Sequence, residues 1–219
     1  REKPLGLLMS GPAAGVAAAQ TLASEYSFPN VITLDIGGTT SDVCFIKEGK
    51  AEIAHSRKIA GHAIRTASVS VESVGAGGGS IAYRDAAGAL KVGPESAGAD
   101  PGPVCYGLGG ERPTVTDAHL VLGYLNPRRV LGGKIEIQSE LSKEAVGLLA
   151  KSFGISLEKF AGGILTIAEA NIHRALRLVA LRRGYNLEDC VLISYGGMGP
   201  LHAARIAKSF GFARIIVPA

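Results

Sequence analysis

The stretch of sequence that decides the fold is VITLDIGGTTSDV, at residues 31–43. Its β-branched and aliphatic first half is typical of a buried strand, and the adjacent glycines predict the tight turn of a hairpin. A second strand then follows from Val43 to Ile46. Successive backbone N–H groups and hydroxyls in such a turn form a nest for phosphate oxygens. An ordinary hairpin with glycines at positive φ also explains the turn alone, but its polar neighbours favour phosphate binding.

The turn contains two kinds of candidate ligand. Its hydrogen-bond donors are Gly37, Gly38, Thr39 and Thr40. Asp35 ends the first strand and Asp42 follows the turn, and both carboxylates are hard oxygen ligands of the kind that hold Mg²⁺, often through water. The sequence therefore predicts a site for phosphate with an associated Mg²⁺ ion.

The composition narrows the class of protein. The chain has 219 residues, a net charge of +4 and few aromatic residues, which do not alternate with basic ones, so nucleic-acid binding has little support. No apolar stretch is long enough for a membrane span. The three cysteines, Cys44, Cys105 and Cys190, are far apart and form no CxxC pair. We therefore expect neither disulfides nor a zinc site, and a reducing, cytoplasmic setting.

The chain is expected to form a single α/β lobe over residues 1–219, cut from a longer protein, because it starts without Met and ends just after an apparent strand. A short strand is predicted at residues 5–9, and a helix from Ala13 to Tyr26 with Ser10 as its N-cap. Residues 93–113 include ten Gly or Pro among 21 and predict a long loop. Residues 140–183 are expected to be helical, as two helices.

A second glycine-rich turn lies near the end of the chain, where residues 194–200 are SYGGMGP. It follows an apolar strand and precedes a helix and a last strand, which predicts a βαβ unit and a mixed sheet. Adjacent glycines allow a flat ligand or a sugar to approach the backbone, and a helix N-terminus favours an anion. A purely structural strand–helix junction remains an alternative. Neither a GxGxxG fingerprint nor a P-loop is present.

Several motifs together resemble one family, the hydantoinase A/5-oxoprolinase family, which includes N-methylhydantoinase and nucleotide-binding subunits of acetone and acetophenone carboxylases. The motifs are SGPAAG (10–15), LDIGGTTSD (34–42), GAGGGSI (75–81), VGPESAGA (92–99), PGPVCYG (101–107), TVTDA (114–118) and GGMGPLHA (196–203). The resemblance implies a lobe of the actin/Hsp70/sugar-kinase (ribonuclease H-like) fold, with a mixed sheet flanked by helices. It covers nearly the whole chain, which is similar to the C-terminal part of that ATPase-like core.

The resemblance also implies an activity, the ATP-dependent opening of a cyclic amide after phosphorylation of its carbonyl oxygen. Gly37, Gly38, Thr39 and Thr40 would then bind the β- and γ-phosphates. Asp35 would hold the water shell of Mg²⁺ or orient an attacking group, and Asp42 would support the turn or the metal. Gly196, Gly197 and Gly199 would admit the nucleoside. The expected partners are a cyclic-amide substrate, the N-terminal lobe of the same chain and a hydantoinase B-type subunit or domain.

Three points stay open at this stage. Asp117 is either a helix cap or a catalytic residue. Residues 75–79 either line the substrate or phosphate cleft or mark a close crossing of two backbones. The function is either that of a cyclic-amide hydrolase, that of the nucleotide-binding subunit of an ATP-dependent ketone carboxylase, or that of a non-catalytic actin-like scaffold.

Overall fold

The computed structural model describes residues 10–59, 62–128 and 135–218. The helices are α1 (Ser10–Glu25), α2 (Val115–Val121), α3 (Ser139–Ser152), α4 (Leu157–Arg183) and α5 (Gly199–Phe210). The strands are β1 (Asn30–Ile36), β2 (Ser41–Lys47), β3 (Lys50–Ala51), β4 (Ile53–Ala54), β5 (Arg57–Ile59), β6 (His62–Ile64), β7 (Ser68–Val69), β8 (Glu72–Val74), β9 (Ser80–Arg84), β10 (Leu90–Ser96), β11 (Val191–Tyr195) and β12 (Arg214–Ile216). Short 3₁₀ turns occur at Val104–Tyr106 and Leu187–Asp189.

The main sheet is mixed, as predicted. Its strands run in the order β12-β11-β1-β2-β3, and β8 also pairs with β2. Strands β1, β11 and β12 are parallel, whereas β2 and β3 are antiparallel, so β11–α5–β12 is the predicted βαβ unit. The register pairs Asp35 with Tyr195, which are the last polar residue of β1 and the last residue of β11. Ligands of α/β proteins bind beyond such carboxyl ends of parallel strands.

The chain divides into two compact units. Unit 1 comprises residues 1–35, 42–73 and 176–219, and unit 2 comprises residues 36–41 and 74–175. Unit 1 includes α1 and most of the main sheet. Unit 2 includes α2, α3, the first part of α4, and the antiparallel pair β9–β10.

The core of unit 1 forms because α1 is apolar along one face. Val16, Ala19 and Ala23 recur at helical spacing, and all three are buried against the sheet residues Val31 and Ile193. The central strands β1 and β2 are buried over most of their length, which explains their continuous apolar sequence.

The core of unit 2 is formed largely by α4, whose residues Phe160, Ile164 and Leu165 are almost completely buried. The side-chain amide of Asn171 donates to the carbonyl of Val92, 3.1 Å away, and thereby links α4 to β10. Ile81 of β9 forms a bridge with Thr114, the residue before α2.

The structure differs from the sequence prediction at several boundaries. Ser10 lies within helix α1, as the first of its described residues, and is therefore not a cap outside the helix. The predicted loop at 93–113 begins later, because β10 extends to Ser96. The strand predicted at residues 5–9 lies outside the described residues.

Candidate functional site

The turn between β1 and β2 is closed by one backbone hydrogen bond, from the N–H of Gly37 to the carbonyl of Thr40 at 3.0 Å. Neither Gly37 nor Gly38 has a positive φ. A Cβ atom on Gly38 would have no atom within 4 Å, and one on Gly37 would come no closer than 3.8 Å to the Thr40 carbonyl. Neither backbone conformation nor packing within the described residues therefore requires glycine at these positions, so positive φ does not explain them.

Residues 75–79 lie directly against this turn, so the alternative of a close backbone crossing is correct. The N–H of Gly78 donates to the carbonyl of Gly37 at 3.0 Å, and the N–H of Gly79 donates to that of Gly38 at 2.6 Å. The buried hydroxyl of Ser41 donates to the carbonyl of Ala76. Three hydrogen bonds thus hold the turn on the second glycine-rich segment.

The second segment needs its glycines because the two backbones are so close. A Cβ atom on Gly77 would lie 2.8 Å from the Gly37 oxygen, and one on Gly79 would lie 2.9 Å from the Gly38 oxygen. The sequence had offered this role as one of two alternatives for residues 75–79, and the close contacts identify which glycines require it.

The crossing also fixes which way the amides of the turn face. In a trans peptide the C=O and N–H groups point in opposite directions. Because the carbonyls of Gly37 and Gly38 point toward Gly78 and Gly79, the N–H groups of Gly38 and Thr39 point away from them. Gly38 and Thr39 are both exposed. The turn therefore presents two adjacent amide donors on its open side, as an anion nest does.

Asp35 and Asp42 flank the turn and repel each other. Burial raises the pKa of the Asp35 carboxyl, and the nearby negative charge of Asp42 raises it further. The Oδ1 atom of Asp42 is buried and has no hydrogen-bond partner among the described residues. A buried carboxylate oxygen without a donor, beside a second carboxylate, is an arrangement that a cation stabilises.

These two carboxylates fit Mg²⁺ better than a metal held entirely by protein. Mg²⁺ is usually bound through one or two carboxylates, with phosphate oxygens and water completing its octahedron. Within the described ranges, no group of three or more His, Cys, Asp or Glu side chains could hold a metal ion. Asp35 and Asp42, both in unit 1, are thus the described residues whose chemistry fits Mg²⁺.

The second glycine turn, between β11 and α5, belongs to unit 1. Gly196 has a φ of +80°, and a Cβ atom on Gly199 would lie 2.9 Å from the hydroxyl oxygen of Ser194. The fold therefore explains both of these glycines. Gly197 is different, because a Cβ atom there would meet no atom of the described residues within 4 Å and its φ is not positive. It is the glycine of this turn that a ligand would explain.

Tyr195, which precedes this turn, was not predicted as a site residue. A Cβ atom on Gly15 would lie 2.6 Å from its ring, so α1 packs directly on the tyrosine. Burial raises the pKa of the Tyr195 hydroxyl to about 12, and the charge of Asp35 contributes to the rise. Its position at the end of a strand, before two glycines, was the available signal.

Asp117 is completely buried and accepts hydrogen bonds from three parts of unit 2. Its donors are the N–H groups of Val104, Cys105 and Thr114 and the hydroxyls of Thr114 and Ser142, at 2.6 to 3.2 Å. Thr114 is the N-cap of α2, and Asp117 completes a capping box from the third helical position. The N-cap is thus Thr114, and Asp117 takes part in the capping from inside the helix. A catalytic role of Asp117 stays a prediction.

The whole chain, residues 1–219, matches a family model described as Hydantoinase/oxoprolinase. The chain belongs to the hydantoinase/oxoprolinase family. This finding confirms the resemblance inferred from the glycine-rich motifs. No helix within the described residues is long and apolar enough to cross a membrane.

Named relatives of this family member are enzymes or their subunits. The chain is 41% identical to caprolactamase subunit alpha of Pseudomonas jessenii, covering 100% of this chain and 32% of the relative. It is 37% identical to the acetone carboxylase beta subunit of Xanthobacter autotrophicus, over 97% of this chain and 30% of the relative. It is 35% identical to 5-oxoprolinase 1 of Arabidopsis thaliana, over 96% of this chain and 18% of the relative. The chain therefore spans a third or less of the length of these relatives.

Two solved structures have the same fold as this family member. The nucleotide-free structure of acetone carboxylase superposes with a TM-score of 0.87 at 37% identity, over 96% of this chain and 30% of that chain. The crystal structure of the ATP-dependent caprolactamase from Pseudomonas jessenii gives a TM-score of 0.86 at 41% identity, over 95% and 30% of the two chains. The predicted fold class is confirmed: the chain is an actin-like α/β lobe with a mixed sheet and flanking helices.

The close crossing at Gly77 predicts a position-specific cost of adding a methyl group. In the full-length protein, Gly77→Ala should lower the free energy of unfolding by about 1–3 kcal/mol, because the turn backbone must move. Gly162→Ala is the matched control, since a Cβ atom there meets no atom of the described residues. In the interior of a helix such as α4, alanine is more favourable than glycine by about 1 kcal/mol. Thermal unfolding would measure both variants. Equal stability of Gly77→Ala and the wild type would contradict the crossing.

The hydrogen bonds of Asp117 predict that its charge is structural. Asp117→Asn should lower the free energy of unfolding by roughly 3 kcal/mol, because the new amide group faces donors instead of accepting from them. Ser142→Ala removes one donor and should cost about 1 kcal/mol. Denaturant unfolding measures both values. Loss of activity in Asp117→Asn at unchanged stability would instead support the catalytic prediction.

The raised pKa of Asp35 predicts a pH-dependent gain in stability when its charge is removed. The folded protein binds the Asp35 proton more tightly than the unfolded chain does, so ionised Asp35 destabilises the fold as the pH rises above the ordinary value of 3.8. Asp35→Asn should therefore raise the melting temperature at pH 7.5 in metal-free buffer, and this gain should shrink toward pH 4.5. Glu144→Gln, at an exposed position of α3, is the control. A gain that does not vary with pH would be evidence against this explanation.

Proposed function

We propose that this chain is the nucleotide-binding lobe of an ATP-dependent enzyme that hydrolyses cyclic amides. The observation that carries the proposal is the β1–β2 turn, whose carbonyls are bonded to Gly78 and Gly79 so that the amides of Gly38 and Thr39 face outward. The resemblance to a caprolactamase subunit and to a 5-oxoprolinase over almost the whole chain supports the same conclusion.

The chemistry of an amide explains why ATP would be needed. An unstrained amide carbon is a poor electrophile. Attack of the amide oxygen on the γ-phosphorus forms an O–P bond, breaks the bond to the leaving ADP, and leaves an activated carbon. Water then adds to that carbon, and the C–N bond breaks to release the protonated amine and leave an acyl phosphate. A second water hydrolyses the acyl phosphate to carboxylate and phosphate. In such a transfer the protein mainly positions the phosphates and stabilises their charge.

The residues of the β1–β2 turn would bind the β- and γ-phosphates. The donors would be the N–H groups of Gly38, Thr39 and Thr40 and the hydroxyls of Thr39 and Thr40. Gly37 would contribute by closing the turn, because its N–H is bonded to the carbonyl of Thr40. Asp35 and Asp42 would hold Mg²⁺, which when bound neutralises phosphate charge. Asp35 alternatively orients the attacking group, and Asp117 stays in the proposal as a second catalytic candidate.

The turn at residues 196–199 would admit the nucleoside. Gly197 is the strongest candidate there, because the fold gives no other reason for a glycine at that position. Gly196 and Gly199 would contribute by shaping the turn, since positive φ and the contact with Ser194 already require them.

The proposed partners follow from the relatives, which are subunits of larger enzymes and much longer than this chain. The full protein would add an N-terminal lobe that completes the ATP site, together with a hydantoinase B-type subunit or domain. The proposed location is the cytoplasm, where ATP is available.

A second candidate is the nucleotide-binding subunit of a ketone carboxylase. The specific observation in its favour is the likeness to acetone carboxylase, which matches that to caprolactamase in TM-score. A third candidate, an actin-like scaffold, would bind nucleotide without substrate-stimulated turnover.

Measurement of ATP hydrolysis by the full-length protein with its partner subunit would separate these functions. The expected result is stimulation by caprolactam, 5-oxoproline or a hydantoin, and loss of at least 100-fold of turnover in Asp35→Asn, an order-of-magnitude expectation for removing a charge that binds the metal or orients the reaction. Stimulation only by a ketone with bicarbonate would favour the carboxylase. ATP binding without stimulation by any of these compounds would favour the scaffold.

A further inference from the structure

We propose that Thr116 is a positioning residue for the phosphate-binding turn, and that it acts through the Gly78–Gly79 peptide on the amide of Thr39. This inference rests on the proposed function, since it concerns how the same site is held in its binding geometry. All of the residues involved belong to unit 2.

Thr116 bonds twice to a single carbonyl. Its backbone N–H lies 2.8 Å from the oxygen of Gly78, and its hydroxyl oxygen lies 2.9 Å from the same atom. Thr116 is only 5% exposed, and Gly78 is buried. As the second residue of α2, Thr116 has an N–H group without a partner inside the helix, which leaves it available for Gly78.

The doubly bonded carbonyl fixes the orientation of the next amide. The carbonyl of Gly78 and the N–H of Gly79 belong to one planar trans peptide, so they point in opposite directions. When Thr116 holds the carbonyl on one side, the N–H of Gly79 is directed to the other side. There it donates to the carbonyl of Gly38 at 2.6 Å.

The same geometry repeats once more in the turn. The carbonyl of Gly38 and the N–H of Thr39 form the next planar trans peptide, so the bond from Gly79 directs the Thr39 amide outward. Two peptide groups therefore connect the Thr116 hydroxyl to the N–H group of Thr39, an exposed residue of the turn that would bind phosphate. Hydrogen bonds in such a chain polarise one another, so the Thr116 hydroxyl also strengthens the donor at the far end.

Thr116 is itself held firmly at the start of α2. The neighbouring residues Thr114 and Asp117 form the capping box, and Asp117 bonds to Ser142 of α3. The chain of hydrogen bonds from Thr116 through Gly78, Gly79 and Gly38 to the amide of Thr39 is called the relay. It begins at the capped end of α2 and ends at the exposed turn. A hydroxyl at position 116 serves this geometry, whereas an apolar side chain of the same shape would leave only one of the two bonds to Gly78.

The test compares three substitutions in the full-length protein with its partner subunit. Thr116→Val removes the hydroxyl at nearly constant shape, and Thr116→Ser retains it. Thr166→Val is the matched control, because the Thr166 hydroxyl also donates to a backbone carbonyl at 2.9 Å, but on an exposed face of α4. Calorimetry would give the dissociation constants of ATP and of adenosine, and steady-state kinetics would give KM for ATP and kcat.

We expect Thr116→Val to weaken ATP binding about fivefold to tenfold, the loss that corresponds to one hydrogen bond, and to raise KM for ATP by a similar factor. Adenosine binding should stay unchanged, because adenosine has no phosphate for the Thr39 amide. Thr116→Ser should bind ATP within about twofold of the wild type. Thr166→Val should bind ATP as tightly as the wild type does.

Two results would overturn the inference. Unchanged ATP affinity in Thr116→Val would contradict the relay. An equal loss of affinity for ATP and for adenosine would show that Thr116 has only a structural role. If Thr116→Val does not fold, Thr116→Cys replaces it, since the weak S–H donor should give an ATP affinity between those of serine and valine. A wild-type protein that does not bind ATP would contradict the proposed function itself, which is a distinct outcome.

Discussion

The candidate site depends on one constraint: the carbonyls of the β1–β2 turn must be hydrogen-bonded by a second backbone. The N–H groups of Gly78 and Gly79 satisfy the carbonyls of Gly37 and Gly38, and this contact is possible only because Gly77 and Gly79 have no Cβ atom. With both carbonyls bonded on one side, the planarity of the peptide directs the following amides to the other. The proposed anion site is thus built by backbone packing, without a charged side chain in the turn.

The two aspartates beside the turn illustrate the tension between stability and function. Burial and mutual repulsion raise the pKa of Asp35, and one oxygen of Asp42 is buried without a donor. Both features cost stability in the chain alone. Such unfavourable arrangements concentrate at functional sites, and the proposed cation would offset the negative charge of both carboxylates.

The relatives are named for different substrates, a lactam, 5-oxoproline and ketones, although this chain is similar to all of them over most of its length. A region common to enzymes with different substrates fits a lobe that binds the shared reagent rather than the substrate. The surroundings of the glycines agree with a lobe that binds the shared reagent. Gly38 and Gly197 have open space around them that neither φ nor packing explains, whereas Gly77 and Gly199 are fully explained by close contacts.

The sequence by itself determined the family, the mixed α/β class, the β1–β2 hairpin, the helical character of residues 140–183 and the final βαβ unit, because motifs, periodicity and turn residues are local signals. Only the tertiary structure decided the roles of Gly77–Gly79, Asp117 and Thr116. Their partners lie far away along the chain: Thr116 bonds to Gly78, and Asp117 bonds to Cys105 and Ser142. Contacts between distant segments leave no periodic pattern in the sequence, so the packing of the folded chain alone reveals which glycines face a backbone and which face open space.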